Sequence, residues 1–273
     1  MQHEDPEYKR HPVRMIAVDM DGTLLGPDGR VSARNLAALQ AAENVGIEVV
    51  IATGRRHCYA MRQLRGLGMR EENALVSSNG TVTRTIGATL LERTLMQQDT
   101  ARWLCGHLEE FRNALVITFE MTGADGEDAR GALVVEHLEE LNGSIGKWMA
   151  ANEPYIAHVM PIEKALEAEA PIQMMLCGTI ERMRRAEARL LEHPGVSAGI
   201  NPQERTSRTE ITLHRTEYPE RDLSIVDILP AGCSKGSALL RLAANRGIGA
   251  EEILAIGDNW NDVPCWKWRD ERC

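Results

Sequence analysis

The sequence has no long apolar run, no C-x-x-C pair and no H-E-x-x-H histidines, and each absence removes a class of function. Without an apolar stretch of roughly 20 residues, no membrane-spanning helix is expected. The opening Met1–Pro12 is polar and charged and lacks the apolar centre of a secretory signal. These features predict a cytoplasmic protein with no membrane partner. The six cysteines, at 58, 105, 177, 233, 265 and 273, are scattered, which fits buried thiols in a reducing compartment better than a disulfide framework or a zinc site. The eight histidines show no ligand spacing and read as ordinary surface or core residues. Positive charge is scarce: 31 Lys+Arg against 40 Asp+Glu leave a formal charge of -9, which argues against nucleic acid or an anionic membrane as partner. An anionic small molecule remains open, because a bound divalent cation inverts the local field.

Against those absences, the composition is that of a soluble globular chain, 43% hydrophobic and 26% charged over 273 residues, long enough for one large domain or two modest ones. Its organising stretch is Met15-Ile16-Ala17-Val18-Asp19-Met20-Asp21-Gly22-Thr23-Leu24-Leu25. An apolar run without alternation predicts a strand buried on both faces. It stops at two aspartates spaced one apart, which share a side if the chain stays extended. Two adjacent carboxylates repel near neutrality, so they need a cation between them or one must keep its proton. A calcium loop is excluded, since that loop requires Gly at its sixth position and Glu at its last, where this chain has Leu24 and Arg30.

Ser32 is a fair N-cap for a helix carrying Leu36, Leu39 and Ala42 inward and ending near Gly46. Residues 47–52 predict a second buried strand, stopping at Thr53-Gly54-Arg55. A helix bearing Met61, Leu64 and Leu67 follows, then a third strand, Ala74–Ser77, stopping at Ser78-Asn79-Gly80. Strands alternating with helices imply a parallel sheet with right-handed crossovers. Ligands of such sheets sit beyond the carboxyl ends of the strands, so Asp19, Thr53 and Asn79 are expected around one crevice. From about Arg84 to Leu223 the texture is mixed, with the acidic Gly123–Gly131 segment reading as a solvated loop and Thr179–His193, opened by Thr179 as N-cap, as the best helix. The apolar run Leu223–Leu229 then predicts a return to the first texture, followed by Ser234 capping a helix that places Lys235 in its first turn. A cation there opposes the helix dipole unless an anion is bound beside it. A further strand, Ile253–Ile256, leads into Gly257-Asp258-Asn259-Trp260-Asn261-Asp262.

The fold expected is therefore α/β: a Rossmann-like parallel-sheet core over residues 13–83 and 224–273, with an inserted α+β cap over 84–223. Its cleft gathers acids, a hydroxyl and a lysine. Oxygen ligands without His or Cys suit a hard cation such as Mg²⁺, which is commonly held by one or two carboxylates plus substrate phosphate. Aspartyl-phosphate chemistry splits phosphoryl transfer into two steps, and that transfer needs chiefly positioning and charge neutralisation.

Asp19-Met20-Asp21-Gly22-Thr23, Thr53-Gly54-Arg55, Ser234-Lys235-Gly236 and Gly257-Asp258-Asn259-Trp260-Asn261-Asp262 resemble, in order, the four motifs of the haloacid dehalogenase superfamily. Ser78-Asn79-Gly80 and the long α+β insert resemble its Cof-like branch. The resemblance implies a Mg²⁺-dependent phosphatase acting on a small phosphorylated metabolite such as a sugar phosphate. Asp19 would be the nucleophile and a metal ligand, and Asp21 the general acid/base, with its main-chain carbonyl a further ligand. Thr53 and Lys235 would hold the phosphoryl group, with Met20, Gly54, Asn79 and Asn261 around it. Asp258 would complete the metal site and Asp262 would support it from behind. A phosphomutase or phosphotransferase of the same core, or a non-catalytic remnant, are the alternatives. The stretch Val263–Cys273 does not resemble the strand and helix that follow the fourth motif in the family, so a truncated C-terminus is expected.

Overall fold

The computed structural model describes residues 12–138, 143–198 and 208–258. The first elements are β1 (Met15–Asp19), α1 (Ala33–Asn44), β2 (Glu48–Ala52), α2 (His57–Leu64), β3 (Ala74–Ser77), β4 (Val82–Thr85) and β5 (Leu90–Arg93). Next come α3 (Gln98–His107), β6 (Leu115–Thr118), β7 (Leu133–Val135), α4 (Gly143–Asn152), β8 (Ile156–His158), β9 (Gln173–Gly178), α5 (Ile180–Leu191) and β10 (Val196–Ala198). The last are β11 (Ile211–Tyr218), β12 (Leu223–Pro230), α6 (Lys235–Asn245) and β13 (Ile253–Ile256). They form a six-stranded sheet, β13-β1-β2-β3-β4-β5, and a seven-stranded sheet, β10-β11-β12-β9-β6-β7-β8.

In the first sheet β13, β1, β2 and β3 run parallel, and β4 and β5 are antiparallel additions. The unalternating apolar runs follow from cover on both faces. Val50 and Ala52 of β2 pack with Met15, Ala17 and Val76 against Leu239 and Leu242 of α6. Val49 and Ile51 face the other way, with Val18 and Leu75, against Leu39 of α1 and Met61 and Leu64 of α2. The caps are as the sequence predicts: Ser32 accepts from the Asn35 amide, Thr179 from the Arg182 amide, and Ser234 from the Ser237 amide in a reciprocal capping box.

The second sheet buries one face against α3 and α5, through Leu104, Met183, Ala186 and Leu190. Its other face packs Val116, Val135 and Cys177 against Ile145 and Trp148 of α4. Strand pairing departs from the sequence reading at two places. Leu223–Pro230, expected to open the return to the core, lies inside the second sheet between β11 and β9. Residues 84–93, expected in the insert, extend the first sheet as part of β4 and as β5. A strand covered on both faces has the same apolar texture in either sheet, so β12 carried no signal of its partners. The Gly123–Gly131 segment is the largely exposed loop the sequence predicts, but it is anchored at two points. Asp128 is 3% exposed and ion-paired with Arg56, and Arg65 reaches both Glu127 and the Asp125 carbonyl.

Among the described residues no helix is long and apolar enough to cross a membrane. Cys58, Cys105, Cys177 and Cys233 are all buried, and burial pushes the Cys105 and Cys177 thiols up to about 12.

Candidate active site

The parallel strands end together, and the polar residues that follow them share one crevice. At the end of β1 the chain turns tightly, with the Leu24 and Leu25 amides donating to the Asp19 and Met20 carbonyls at 3.1 and 2.9 Å. Gly22 sits in this turn at φ 82°, and a Cβ built on it would lie 2.2 Å from Oδ2 of Asp258. Only glycine lets the loop after β13 approach so closely. There Asp258 Oδ1 accepts a 3.1 Å hydrogen bond from Thr23 Oγ1.

The loops after β2 and β3 are laced to each other. The Thr53 amide donates to the Val76 carbonyl, the Asn79 amide to the Thr53 carbonyl, and the Ser78 amide to the Arg55 carbonyl. Thr53 Oγ1 accepts from the Arg55 amide at 3.1 Å. Asn79 is buried in the left-handed region, at φ 54° and ψ 29°, a conformation Asn tolerates better than most residues. Beside it Gly80, at φ 91°, lies against the start of α6; a Cβ there would be 2.2 Å from the Ser234 carbonyl oxygen. The Ser-Asn-Gly turn thereby seats the N-terminus of α6 in the crevice.

Lys235, the first residue of α6, donates from Nζ to Asp19 Oδ1 at 2.5 Å, with the two side chains 3% and 6% exposed. The anion that the lysine's unfavourable position called for is thus the carboxylate of β1. A buried, paired charge of this kind is costly to separate. Asp21 behaves differently. Its side chain is 55% exposed and gripped in a fork by Arg55, with Nε to Oδ2 at 2.9 Å and Nη2 to Oδ1 at 2.5 Å. Arg55 also donates to Gln63 and lies 5.2 Å over the Tyr59 ring.

The structure brings Asp19 and Lys235 into contact, sets Met20, Asp21 and Asp258 around the Gly22 turn, and packs Thr53, Gly54 and Asn79 into the adjoining loops. Asn261 and Asp262 lie outside the described residues, as does Val263–Cys273. Among the described residues no three Asp, Glu, His or Cys side chains converge as a metal cage. Two carboxylates do flank one turn, Asp19 before Gly22 and Asp258 against it, with oxygen donors only. That set fits Mg²⁺, which takes few protein ligands and keeps waters.

Two residues here were missed by the sequence reading. Arg55 was visible in Thr-Gly-Arg, but its grip on Asp21 is a contact between loops. Asp227 was hidden within an apolar run of β12. Its side chain receives a hydrogen bond from Asn79 and stands near Lys235, yet burial dominates and pushes its carboxyl up to about 7. The only clue was a lone acid interrupting a buried strand.

Comparison with known proteins agrees with this architecture. A family model described as haloacid dehalogenase-like hydrolase matches residues 16–268. The chain is similar to a 5-amino-6-(5-phospho-D-ribitylamino)uracil phosphatase of Bacillus subtilis, 27% identical with 92% of this chain and 83% of the relative covered. It is also similar to an HMP-PP phosphatase of Enterobacter, 26% identical over 91% and 79% of the two chains. A solved haloacid dehalogenase-like hydrolase from B. subtilis superposes with TM-score 0.69 at 25% identity, covering 93% of this chain and 86% of that one. With its crevice built on the strand ends of a Rossmann-like sheet and the family model spanning nearly its whole length, the chain belongs to the haloacid dehalogenase-like hydrolases.

Proposed function

We propose that this chain, a phosphatase of its family, hydrolyses a small phosphorylated metabolite through an aspartyl phosphate on Asp19. The observation that carries the reading is the buried Asp19–Lys235 pair at the end of the first parallel strand. A carboxylate held by a lysine at a helix N-terminus is placed where a phosphate dianion also finds favourable charge. Relatives named as phosphatases of small phosphorylated compounds support the same reading.

In the proposed reaction an Asp19 oxygen attacks phosphorus and the ester P–O bond breaks, with Asp21 giving the leaving oxygen its proton. Water then attacks the acyl phosphate, Asp21 takes the water's proton, and phosphate leaves with Asp19 restored. Lys235 and the Thr53 hydroxyl offset charge on the phosphoryl oxygens while Asn79 shapes the floor. Arg55 holds the exposed Asp21 carboxylate in one orientation. Mg²⁺ held by Asp19, Asp258 and the Asp21 main-chain carbonyl would supply further neutralisation of the phosphoryl oxygens.

The test is phosphate release from para-nitrophenyl phosphate with and without Mg²⁺. Wild type is expected to turn over only with the metal, and Asp19→Asn and Asp19→Ala to lose about 10³-fold or more of kcat. Activity in Asp19→Asn close to wild type, with Mg²⁺ still bound, would remove Asp19 as the nucleophile.

A further inference from the structure

A cavity of about 700 Å³ opens between the two sheets' helices, lined by Tyr59 of α2, Gly143, Ser144, Lys147 and Trp148 of α4, and Arg221 beside the β11–β12 turn. No acid is among these residues. Lys147 and Arg221 meet no carboxylate among the described residues, and Arg62 lies 4.9 Å over Tyr59 with its Nη2 on the Ala151 carbonyl. Most other arginines near this seam are paired: Arg55 with Asp21, Arg56 with Asp128, Arg65 with Glu127. In a chain of formal charge -9, a concave surface whose described lining carries two cations and no acid favours an anion over a neutral group.

This cavity adjoins the reacting centre. Arg55 links them, with its guanidinium forked onto Asp21 and lying 5.2 Å over the Tyr59 ring. On the other wall Tyr218 lies 5.9 Å under the Arg221 guanidinium and within electrostatic reach of Asp21. A phosphoryl group at Asp19 would therefore direct its leaving group toward Lys147, Trp148 and Arg221. The volume lies within the range of small-molecule sites, so it accommodates more than a short alcohol.

Resting on the phosphatase reading, we infer that the substrate is a phosphate monoester whose leaving group carries a second anionic group, received by Lys147 and Arg221 beside the Trp148 ring. A phosphate or carboxylate there gains charge-assisted hydrogen bonds, whereas a neutral leaving group leaves both cations to water.

Matched esters test this. Fructose 6-phosphate is compared with fructose 1,6-bisphosphate, and adenosine 5′-monophosphate with adenosine 3′,5′-bisphosphate, in kcat/KM corrected for the number of hydrolysable groups. In each pair the bisphosphate is expected to lead by about tenfold or more, the scale of one or two charge-assisted contacts. The double variant Lys147→Ala/Arg221→Ala should erase that lead and leave para-nitrophenyl phosphate turnover within about twofold, while Lys147→Arg keeps it. Equal rates within each pair, or a lead that survives the double variant, would overturn the inference. Calorimetric binding of adenosine 3′,5′-bisphosphate to the Asp19→Asn chain gives a second measure that needs no turnover. Loss of that binding in the triple variant, together with weakening by salt, supports the cavity even if no ester is hydrolysed. In that case the phosphatase reading alone fails; binding indifferent to both cations overturns the inference alone.

Discussion

One buried histidine should cost this protein stability in acid, and the size of that contribution follows from its surroundings. His57, the first residue of α2, is 2% exposed, and neither ring nitrogen has a hydrogen-bond partner among the described residues. Burial foremost, then the Arg84 and Arg65 guanidinium groups, push its imidazole down to about 4, with Glu127 pulling weakly the other way. The unfolded chain binds a proton near 6.5 that the folded chain refuses until about 4. Between those values the unfolded state holds more protons, so stability rises with pH and is lost as pH falls. The full gap corresponds to about 3 kcal/mol, and most of it, roughly 2–3 kcal/mol, is lost by about pH 4.5. Asp227 works in the opposite direction over much of the same range, so the bulk profile is not diagnostic. The difference between wild type and His57→Leu is. Urea unfolding at several pH values between about 4.5 and 7.5 should show the variant gaining about 2–3 kcal/mol on wild type at the acid end. A difference that stays flat, within about 0.5 kcal/mol across the range, would refute the claim that His57 is buried neutral.

Asp227 gives a second pH signature, in activity. With its carboxyl pushed up to about 7, it is neutral on the acid side and becomes a further negative charge beside Asn79 and near Lys235 as pH rises. Asp227→Asn should therefore flatten an alkaline fall in kcat/KM beginning near 7; an unchanged limb would show that another group sets it. The same carboxyl holds a proton in the folded chain that the unfolded chain has released, so its contribution to stability falls as pH climbs from about 4 to about 7. Gly22→Ala is a third test, because its Cβ would fall 2.2 Å from the Asp258 carboxylate in a left-handed turn. We expect Mg²⁺ activation to weaken by about 10–100-fold, the usual scale for displaced ligand support; an unaltered Mg²⁺ requirement would detach Asp258 from the metal.

Much of this was legible because local chemistry fixed it. Strands at 15–19, 48–52 and 253–256 read from apolar runs, the first two buried and the third only at Ile253, helix starts from Ser32, Thr179 and Ser234, and the crevice from the polar residues after each strand. What escaped depends on partners far along the chain. Arg56 and Asp128 are ordinary charges until the fold buries them together, so the anchoring of an otherwise exposed acidic loop was not legible. Asp227 looked like an interruption in a core strand because its sheet neighbours, His214 and Met175, are set by pairing that periodicity does not encode. Asp21 was read for its chemistry alone, and its exposed carboxylate forked by Arg55 adds an orientation that the motif does not spell out.

The course of the chain from β12 into α6 constrains how such a protein can change over evolutionary time. Accessory units inserted into a scaffold are usually exchangeable because their joints are neutral ground. Here the downstream joint is not neutral: Asp227 belongs to the seven-stranded sheet and Lys235 to the crevice of the six-stranded one, with only Ala231-Gly232-Cys233-Ser234 between the end of β12 and the start of α6. That short passage is pinned, since the Gly232 amide donates to Thr212 Oγ1 and the Ala231 amide to the Glu210 carbonyl. A graft that replaced the second sheet would also have to redeliver the lysine to Asp19 at the right height and angle. New substrate preferences are therefore more accessible by substitution at positions such as Lys147, Trp148 and Arg221, which carry no such obligation, than by wholesale exchange of the inserted unit.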